Sequence, residues 1–570
     1  MTELPEEARE AVLSLATGVR PAAAPISKPI LPEQESAAPG VWPRAALWPI
    51  PIIAGLIGPW QPYKRSETVV AAFSHPDAQR RFRTVANLDE LQAALDAPWE
   101  KWAVFLHPAQ RALVERDFSG PARVTGSAGT GKTIVALHRA VYLAQSNGSS
   151  RVLLTTFSNV LAKTLHNQLR LLIANRPRLG EQIEVLAFEA VARRLYDSNL
   201  IHTYGPAIVA TDGTVRELLD AAIAAELPTQ FSGRFILSEW KQVVDAAQLR
   251  TWESYRDYNR LGRRSRLREP QRRALWNIFM RVLDELEKRS EMTTAQMFTR
   301  VTEHYAKGAT PPFNFAVVDE AQDVSQAELR CLGALGGGRR NALFFAGDTG
   351  QRIFQQLFSW KSAGVEVRGR STNLKVNYRT SHQIREQADR LLAAEVTDGD
   401  GLVEDRRGAV SVFNGPAPEI RQFADQASEE EFVAAWLAAR RAEGMRPEEM
   451  AIFVRSTQQL DRGEAAARLA NIPSRRLAEE MTTEAKVIPV CTMHLAKGLE
   501  SRAVVIMACE EDVLPDAERL GAAGDASELE EVYNSERQLL YVACTRARDR
   551  LLISSASTSS EFLRDMSNLS

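Results

Sequence analysis

The feature that most constrains the fold is one glycine-rich stretch, Gly126-Ser127-Ala128-Gly129-Thr130-Gly131-Lys132-Thr133. It has the form G-x-x-x-x-G-K-T, follows a short apolar run, and precedes a helical pattern that begins at Ile134. A strand, a glycine-rich loop and a helix in this order form a P-loop, whose backbone N–H groups wrap phosphate oxygens. Lys132 is predicted to reach the β- and γ-phosphates, and Thr133 to complete a Mg²⁺ shell. A simple glycine-rich turn before a helix would not require the Lys-Thr pair at these positions.

Composition is that of an ordinary globular protein, with 45% hydrophobic and 25% charged residues. A chain of 570 residues is too long for one hydrophobic core, so several domains are expected. Lys plus Arg (70) and Asp plus Glu (72) leave a net charge of -2, so any nucleic-acid surface must be a local groove. The four cysteines lack C-x-x-C spacing, which indicates buried thiols in a reducing compartment and neither a zinc site nor a disulfide framework.

The N-terminal region has no feature typical of a targeting or membrane segment. Residues Met1 to Glu7 lack the basic region of a signal peptide. The apolar stretch from Ala45 to Trp60 is shorter than a membrane span and is interrupted by three prolines. We therefore expect a soluble, cytoplasmic protein without membrane contact.

Hydrophobic periodicity predicts an α/β protein with two cores in tandem, the first of which is interrupted by helices. In chain order we expect an irregular arm, the first part of the first core, a helical insertion, the rest of the first core, and the second core, over residues 1–62, 63–211, 212–305, 306–371 and 372–570. An Arg-rich run from Arg260 to Arg268 precedes the longest predicted helix. It is either a solvated face or a set of phosphate contacts.

A second chemical motif is Phe315-Ala316-Val317-Val318-Asp319-Glu320, an apolar strand that ends in two acids. This is the Walker B pattern, in which Asp319 holds Mg²⁺ and Glu320 acts as general base toward the attacking water. A buried strand that ends in two acids is common by chance. Downstream of a P-loop, it predicts hydrolysis of a nucleoside triphosphate.

Further strings follow in a fixed order: Asp319-Glu320-Ala321-Gln322-Asp323, Gly347-Asp348-Thr349-Gly350-Gln351-Arg352-Ile353-Phe354, Asn377-Tyr378-Arg379-Thr380-Ser381, Thr492 to Glu500, and Leu540 to Ala547. From about residue 105 to 555 the chain thereby resembles superfamily 1 helicases of the UvrD/Rep/PcrA type, with the last four strings similar to motifs III to VI. The resemblance implies two RecA-like P-loop NTPase cores in tandem, a helical insertion (1B) in the first, and ATP with Mg²⁺ as cofactors.

On the base and ribose side, the resemblance implies roles for three residues besides the P-loop, residues 126–133. Gln110 matches the glutamine that reads adenine, whose edge a side-chain amide can both donate to and accept from. Tyr378 is expected to stack on the base, and Glu500 to accept hydrogen bonds from the ribose hydroxyls.

On the γ-phosphate side, Arg379 and Arg546 match the two arginines that reach the nucleotide from the second core. A planar, permanently charged guanidinium suits the charge that develops in phosphoryl transfer. Gln351 matches the residue that senses the γ-phosphate and links it to the nucleic-acid groove. With Lys132 and Glu320, these three residues form the predicted catalytic set.

On the nucleic-acid side, the family stacks bases on aromatic side chains, which tolerates any base sequence. The aromatic contacts that the resemblance implies are Phe157, Phe188, Phe354 and Trp360. Phe188 precedes Glu189, where the family usually has histidine, and Trp360 follows Phe354 by six residues where two are usual. Phe188 and Trp360 are therefore equally consistent with core positions. The implied phosphate contacts are Thr156, Asn159, Thr492 and His494.

The chain departs from the family before motif V. Relatives carry a large subdomain, 2B, after the strand that matches Ala451–Arg455 and its helix, whereas here Leu477 leads to Val487 within about ten residues. We therefore expect no sizeable 2B insertion, which favours translocation along a single strand over processive unwinding. The resemblance also implies 3′→5′ movement.

Two functions are compatible with the sequence. One is an ATP-dependent translocase or helicase on single-stranded DNA, as a monomer or weak oligomer. RNA is an alternative track, because backbone and stacking contacts discriminate weakly. The other is a nucleotide-switched scaffold in a repair or defence assembly, in which the N-terminal arm or 1B binds a protein partner.

Overall fold

The structure, a computed structural model, describes residue 106 and residues 108–567, apart from 147, 227–230, 259–266, 353–357, 407, 412–413, 478–485 and 522–525. Several predictions fall outside these residues. They concern the arm at 1–62, the start of the first core, most of the Arg-rich run, and Phe354.

The first half of the chain contains a six-stranded parallel sheet. Its strands are β1 (Ala122–Gly126), β2 (Val152–Thr156), β3 (Ile183–Ala187), β4 (Phe315–Val318), β5 (Leu343–Ala346) and β6 (Ser371–Leu374). The spatial order is β3-β2-β4-β5-β1-β6. Only β5 separates the strand before the P-loop from the strand before the Walker B acids. The carboxyl ends of all strands meet at one edge, so the loops after β1, β4 and β5 converge there.

Helices cover this sheet and form the predicted insertion. They are α1 (Pro108–Glu115), α2 (Lys132–Ser146), α3 (Asn159–Leu172), α4 (Leu179–Gln182), α5 (Phe188–Asn199), α6 (Ile201–Tyr204), α7 (Asp212–Ala225), α8 (Gly233–Glu239), α9 (Trp252–Asp257), α10 (Glu269–Lys288), α11 (Thr294–Ala306) and α12 (Gln326–Gly336). A π-helical turn, Trp240–Asp245, continues α8.

Helices α7 to α10 share a hydrophobic cluster of their own. Helix α10 begins with a proline in its first turn and buries Leu275, Phe279, Val282 and Leu286 along one face. The ring of Tyr255 from α9 lies 5.7 Å from that of Phe279, in an edge-on arrangement. These four helices therefore have a core separate from that of the sheet.

The two chain ends of this insertion lie side by side. Ala210 N donates to Met292 O, and Met292 N donates to Ile208 O, both at 2.9 Å. Helix α11, which was predicted as part of the insertion, buries Met297 and Phe298 in the cluster of the first sheet. Hydrophobic contacts thus associate α11 with the first core, whereas the helical pattern of the sequence alone predicts an insertion that extends to residue 305.

The second half contains a second six-stranded parallel sheet and two small pairs of strands. The strands are β7 (Val376–Asn377), β8 (Glu395–Thr397), β9 (Val403–Asp405), β10 (Val410–Ser411), β11 (Glu419–Phe423), β12 (Met450–Val454), β13 (Ser474–Arg476), β14 (Ile488–Thr492), β15 (Ser501–Met507) and β16 (Ala547–Ala556). The large sheet has the order β11-β16-β15-β12-β14-β13. Strands β7 and β10 pair in parallel, and β8 and β9 form an antiparallel hairpin.

The helices of this half are α13 (His382–Asp389), α14 (Gln426–Ala442), α15 (Leu460–Leu469), α16 (Ala517–Gly521), α17 (Ala526–Cys544) and α18 (Glu561–Ser567). The α/β class with parallel sheets is thus confirmed, in an arrangement consistent with two RecA-like cores. The four cysteines are buried free thiols. Among the helices that the structure describes, none is both long and apolar enough to cross a membrane.

The core of the insertion gives a prediction about stability. Phe279 is completely buried, so Phe279→Ala should lower the free energy of unfolding by about 3–5 kcal/mol through lost apolar burial and a residual cavity. Urea unfolding followed by circular dichroism measures this change. Leu469→Ala on α15, where the side chain is 55% exposed, is the control and should change stability by less than about 0.5 kcal/mol. Equal effects of the two substitutions would contradict the prediction.

Candidate nucleotide and nucleic-acid site

The P-loop connects β1 to α2 and depends on glycine at two positions. Gly129 and Gly131 have φ angles of +80° and +83°, in the left-handed region. A Cβ at Gly129 would overlap Asn377 Oδ1, and one at Gly131 would lie 3.1 Å from Gln110 Nε2. Gln110 Nε2 also donates to Thr130 O at 2.9 Å. The loop therefore fits a triphosphate, because its glycines allow the curled backbone that a P-loop requires beside the N-terminus of α2.

Lys132 lies folded along the loop. Its Nζ donates to the carbonyl oxygens of Gly126 at 2.8 Å and Ser127 at 2.9 Å. The same atom lies 3.9 Å from Asp348 Oδ2. Burial lowers the pKa of Lys132, and Asp348 acts in the opposite sense. The ammonium group thus lies between the loop carbonyls and a buried carboxylate.

Thr133 and Asp319 lie together, as the two motifs predict. Thr133 Oγ1 donates to Asp319 Oδ2 at 2.9 Å. Burial, and then the neighbouring Glu320, raise the pKa of Asp319 to about 7. Hydroxyl and carboxylate oxygens are ligands that Mg²⁺ accepts, so this pair fits the ion that accompanies a bound nucleotide.

Glu320 is held in an unusual backbone conformation, with φ of +54°. A left-handed non-glycine residue is strained and is typical of functional sites. Burial would raise the pKa of Glu320, but Lys497, Lys132 and Arg546 outweigh it and hold that pKa below its ordinary value. The carboxylate is therefore ionised at neutral pH and able to accept a proton.

Arg546 reaches this site from the second half of the chain. Its Nη2 donates to Gln351 Oε1 at 2.9 Å, and Gln351 Nε2 donates to Asp348 Oδ2 at 2.8 Å. Burial, and then Arg379, lower the pKa of Arg546 to about 10, so the guanidinium stays charged at neutral pH. An unbroken series of polar contacts thus connects Arg546 to Lys132.

Arg379 and Glu500, predicted for the γ-phosphate and the ribose, form an ion pair with each other. The Glu500 side chain is 61% exposed, whereas that of Arg379 is 19% exposed. Tyr378 N donates to Gly129 O at 2.9 Å, which brings the predicted base-stacking residue against the P-loop. The roles of these three residues toward a nucleotide stay predictions.

Two basic residues that the sequence analysis did not single out also belong to the site. Lys497 is buried, pairs with Asp323, and lies 3.7 Å from Glu320 Oε2. Arg406 is buried and lies 3.0 Å from Asp348 Oδ1. Lys497 lies inside the motif V string, but the sequence does not indicate which acidic groups it contacts. Arg406 lies in no recognised string.

Most predicted phosphate contacts lie at strand or helix ends. Thr156 is completely buried at the end of β2, and its Oγ1 has no hydrogen-bond partner among the residues that the structure describes. Asn159 is exposed at the start of α3, and Thr492 ends β14. The ring of Phe157 is half-buried beneath Lys497 Nζ, 5.3 Å from the ring centre. The contact between Phe157 and Lys497 brings the end of β2 in the first half to motif V of the second.

Two predicted aromatic platforms lie in or against the core of the first sheet. Phe188 is 2% exposed within the cluster of the first sheet, so no ring face is open to a base in this conformation. The prediction that Phe188 stacks on a base is therefore not met here. Trp360 is half-buried, 4.9 Å from the ring of Phe345 and 5.4 Å from the Arg123 guanidinium. Both rings thus contribute to packing in the first core, irrespective of any base.

His494 lies in a charged cluster rather than on an open surface. Burial, and then Arg455, lower its pKa to about 4. Glu536 and Asp516 oppose this effect, and Arg519 adds to it. The imidazole is therefore neutral at pH 7, and a contact with phosphate would rest on an N–H donor without positive charge.

The P-loop geometry predicts the effect of one methyl group. Gly129→Ala should weaken binding of ATP by about tenfold or more, because the added Cβ meets Asn377 and the φ angle disfavours alanine. Gly148→Ala is the matched control, since a Cβ added at Gly148 would meet no heavy atom of the described residues within 4 Å. Titration of a fluorescent ATP analogue compares the variants. Equal dissociation constants for the two would contradict the prediction.

The charged cluster predicts a pH dependence. Between about pH 6.5 and 4 the unfolded chain protonates His494 more readily than the folded chain, so acidification across this range destabilises the native state. His494→Gln removes this contribution. The stability of the wild type relative to the variant should therefore be lower at pH 5 than at pH 7 in urea unfolding. If the relative stability is independent of pH, the lowered pKa of His494 in the folded chain is contradicted.

Two family models match the chain: the UvrD/REP helicase N-terminal domain over residues 106–368 and the UvrD-like helicase C-terminal domain over 466–558. The chain is 25% identical over 560 residues to the ATP-dependent DNA helicase UvrD2 of Mycobacterium tuberculosis, with 76% of each chain covered. It is 42% identical over 82 residues to the ATP-dependent DNA helicase PcrA of Staphylococcus epidermidis, which covers 14% of this chain and 11% of that protein.

The matched regions coincide with the features described above. The first contains the P-loop, the Walker B acids and Gln351, and the second contains Lys497 and Arg546. Together they cover more than half of the chain. The chain belongs to the UvrD/Rep/PcrA-like superfamily 1 helicases.

Proposed function

We propose that this helicase-family ATP hydrolase is a translocase that moves 3′→5′ along single-stranded DNA. The observation that carries the proposal is the series of contacts from Arg546 through Gln351 and Asp348 to Lys132. It joins the two halves of the chain at the predicted position of the γ-phosphate. A nucleotide bound there would contact both halves, so its hydrolysis would change how tightly they hold together.

The residues of the first half bind the nucleotide and activate the attacking water molecule. ATP supplies the phosphoryl group, and Mg²⁺ held by Thr133 and Asp319 would neutralise its charge. Lys132 would donate to the phosphates from beside the loop carbonyls that it now contacts. Glu320, kept ionised by its basic neighbours, would orient a water molecule and accept its proton.

The residues of the second half stabilise developing charge. Arg546 is buried and charged, and its carboxamide partner Gln351 fixes the direction of the guanidinium. Arg379 is less buried and pairs with Glu500, from which it can turn toward a phosphate. Preorganised cations in a water-poor site are the main source of catalysis in phosphoryl transfer.

A contact between the acids and the predicted DNA groove supports coupling to movement. Lys497 Nζ lies 3.7 Å from Glu320 Oε2 and 5.3 Å from the ring centre of Phe157. A single side chain thus touches the catalytic base and the predicted stacking platform. A strand stacked on Phe157 would thereby influence Glu320, and ATP hydrolysis would then depend on the nucleic acid.

The connection before motif V bears on unwinding. Strand β13 ends at Arg476 and β14 begins at Ile488, and the shortness of this connection supports the proposal that no large 2B subdomain is inserted here. We infer that the chain translocates on single strands as a monomer and opens duplex only modestly or with a protein partner. Strand displacement with 3′-tailed, 5′-tailed and blunt duplexes separates these activities.

ATPase assays test the proposal. Single-stranded DNA should stimulate hydrolysis, and Arg546→Ala should lower kcat by about 10³-fold or more while ATP binding changes little. Arg468→Ala on α15, an exposed arginine, is the control and should behave as wild type. Lys132→Ala should abolish movement along DNA. If single-stranded DNA does not stimulate hydrolysis, the result favours a nucleotide-switched scaffold instead. The same conclusion follows if Lys132→Ala still binds a protein partner and this binding is its sole function.

A further inference from the structure

A short hairpin from the second half of the chain lies against the first half at both of its ends. The hairpin comprises β8, the turn 398–402 and β9, and it follows α13, whose Ile384 and Ala388 are buried in the second core. A two-stranded hairpin is at best marginally stable by itself. Its conformation is therefore determined by the groups that it contacts at each end.

One end contacts the nucleotide site. Arg406 Nη1 donates to Asp348 Oδ1 at 3.0 Å, and its Nη2 donates to the Tyr541 hydroxyl at 2.6 Å. Two residues earlier, Glu404 accepts a hydrogen bond from Thr349. Asp348 is the completely buried carboxylate that also bonds to Gln351 and faces Lys132. A displacement of Asp348 would pull on Arg406, whose other carboxylate neighbour is Asp389 at 3.6 Å, because separating a buried ion pair is costly.

The other end contacts the segment that carries Trp360. Asp400 Oδ2 accepts from the backbone N–H groups of Trp360 at 2.8 Å and Lys361 at 3.1 Å. Asp398 Oδ2 lies 2.8 Å from Arg123 Nη1, and that guanidinium lies over the Trp360 ring. Backbone contact is also close here, since a Cβ at Gly399 would overlap the Phe358 carbonyl oxygen. Both aspartates of the turn thus fix the position of Trp360.

We propose that this hairpin couples the nucleotide site to the Trp360 segment, with Arg406 and Asp398 as the positioning residues at its two ends. The inference rests on the proposed nucleotide site, but it does not require Trp360 to bind DNA. When a nucleotide engages Lys132 and Gln351, Asp348 loses or shifts its present partners. Arg406 follows Asp348, and the short hairpin transmits the shift to the turn that holds Trp360 and Lys361.

A static connection between the two halves is the alternative, and amide hydrogen exchange distinguishes it. The reporters are the Trp360 and Lys361 amides, whose acceptor is Asp400. In the full-length wild type, a non-hydrolysable ATP analogue should change their exchange rates severalfold. Under a static connection, the rates would be the same with and without the analogue. That result, with the analogue shown to be bound, would overturn the proposal.

Variants at the two ends make the test specific. Arg406→Lys keeps the charge but loses the fork that spans Asp348 and Tyr541, so the analogue should no longer affect the reporter amides. Asp398→Asn removes the charge opposite Arg123 and should reduce the effect from the other end. Arg462→Lys is the matched control, because Arg462 is equally buried but contacts Glu429 and Glu510 within the second half.

The outcomes separate this inference from the proposed function. A response in Arg406→Lys equal to that of the wild type would overturn the coupling role of the hairpin. If Arg406→Lys fails to fold, an unchanged response in Asp398→Asn has the same consequence. Whether single-stranded DNA stimulates hydrolysis is measured on the wild type without the exchange experiment. If single-stranded DNA does not stimulate hydrolysis by the wild type, the translocase proposal is overturned, and the result for the hairpin is unaffected.

Discussion

The candidate site depends on one completely buried carboxylate, Asp348, and on the cations that compensate it. Burial alone would raise the pKa of Asp348, but Arg406 and Lys132 hold it below its ordinary value. The two cations come from opposite halves of the chain, one from the P-loop and one from the hairpin that follows α13. Because a buried charge must keep its partners, this carboxylate constrains the relative position of the two halves at the place where a triphosphate is expected.

Motifs confined to a few consecutive residues could be predicted from the sequence, because their chemistry is local. The P-loop and the Walker B strand lie one strand apart at a common edge, and the hydrogen bond from Thr133 to Asp319 connects them as expected. The α/β class followed from alternating apolar and helical patterns. The sequence predicts no separate role for Lys497 within motif V, because its acidic partners lie more than a hundred residues away along the chain.

Contacts that depend on packing could not be predicted in this way. Nothing in the sequence around Arg406 indicates that its guanidinium is buried against Asp348, 58 residues earlier. An aromatic residue at the end of a strand serves a base or a core equally well, and the packing of α5 and α11 decides in favour of the core for Phe188. The same limit explains why the helical pattern predicts an insertion that includes α11, although the apolar face of α11 packs in the cluster of the first sheet.

The paired backbone at Ile208, Ala210 and Met292 has an evolutionary consequence. Where a chain leaves and re-enters a core at adjacent points, the intervening module can lengthen, shrink or be exchanged without displacing the strands on either side. Helices α7 to α10 also have their own hydrophobic cluster, so their exchange leaves no gap in the first sheet. The architecture therefore allows this module to vary in length and sequence while the ATP-hydrolysing site keeps its geometry.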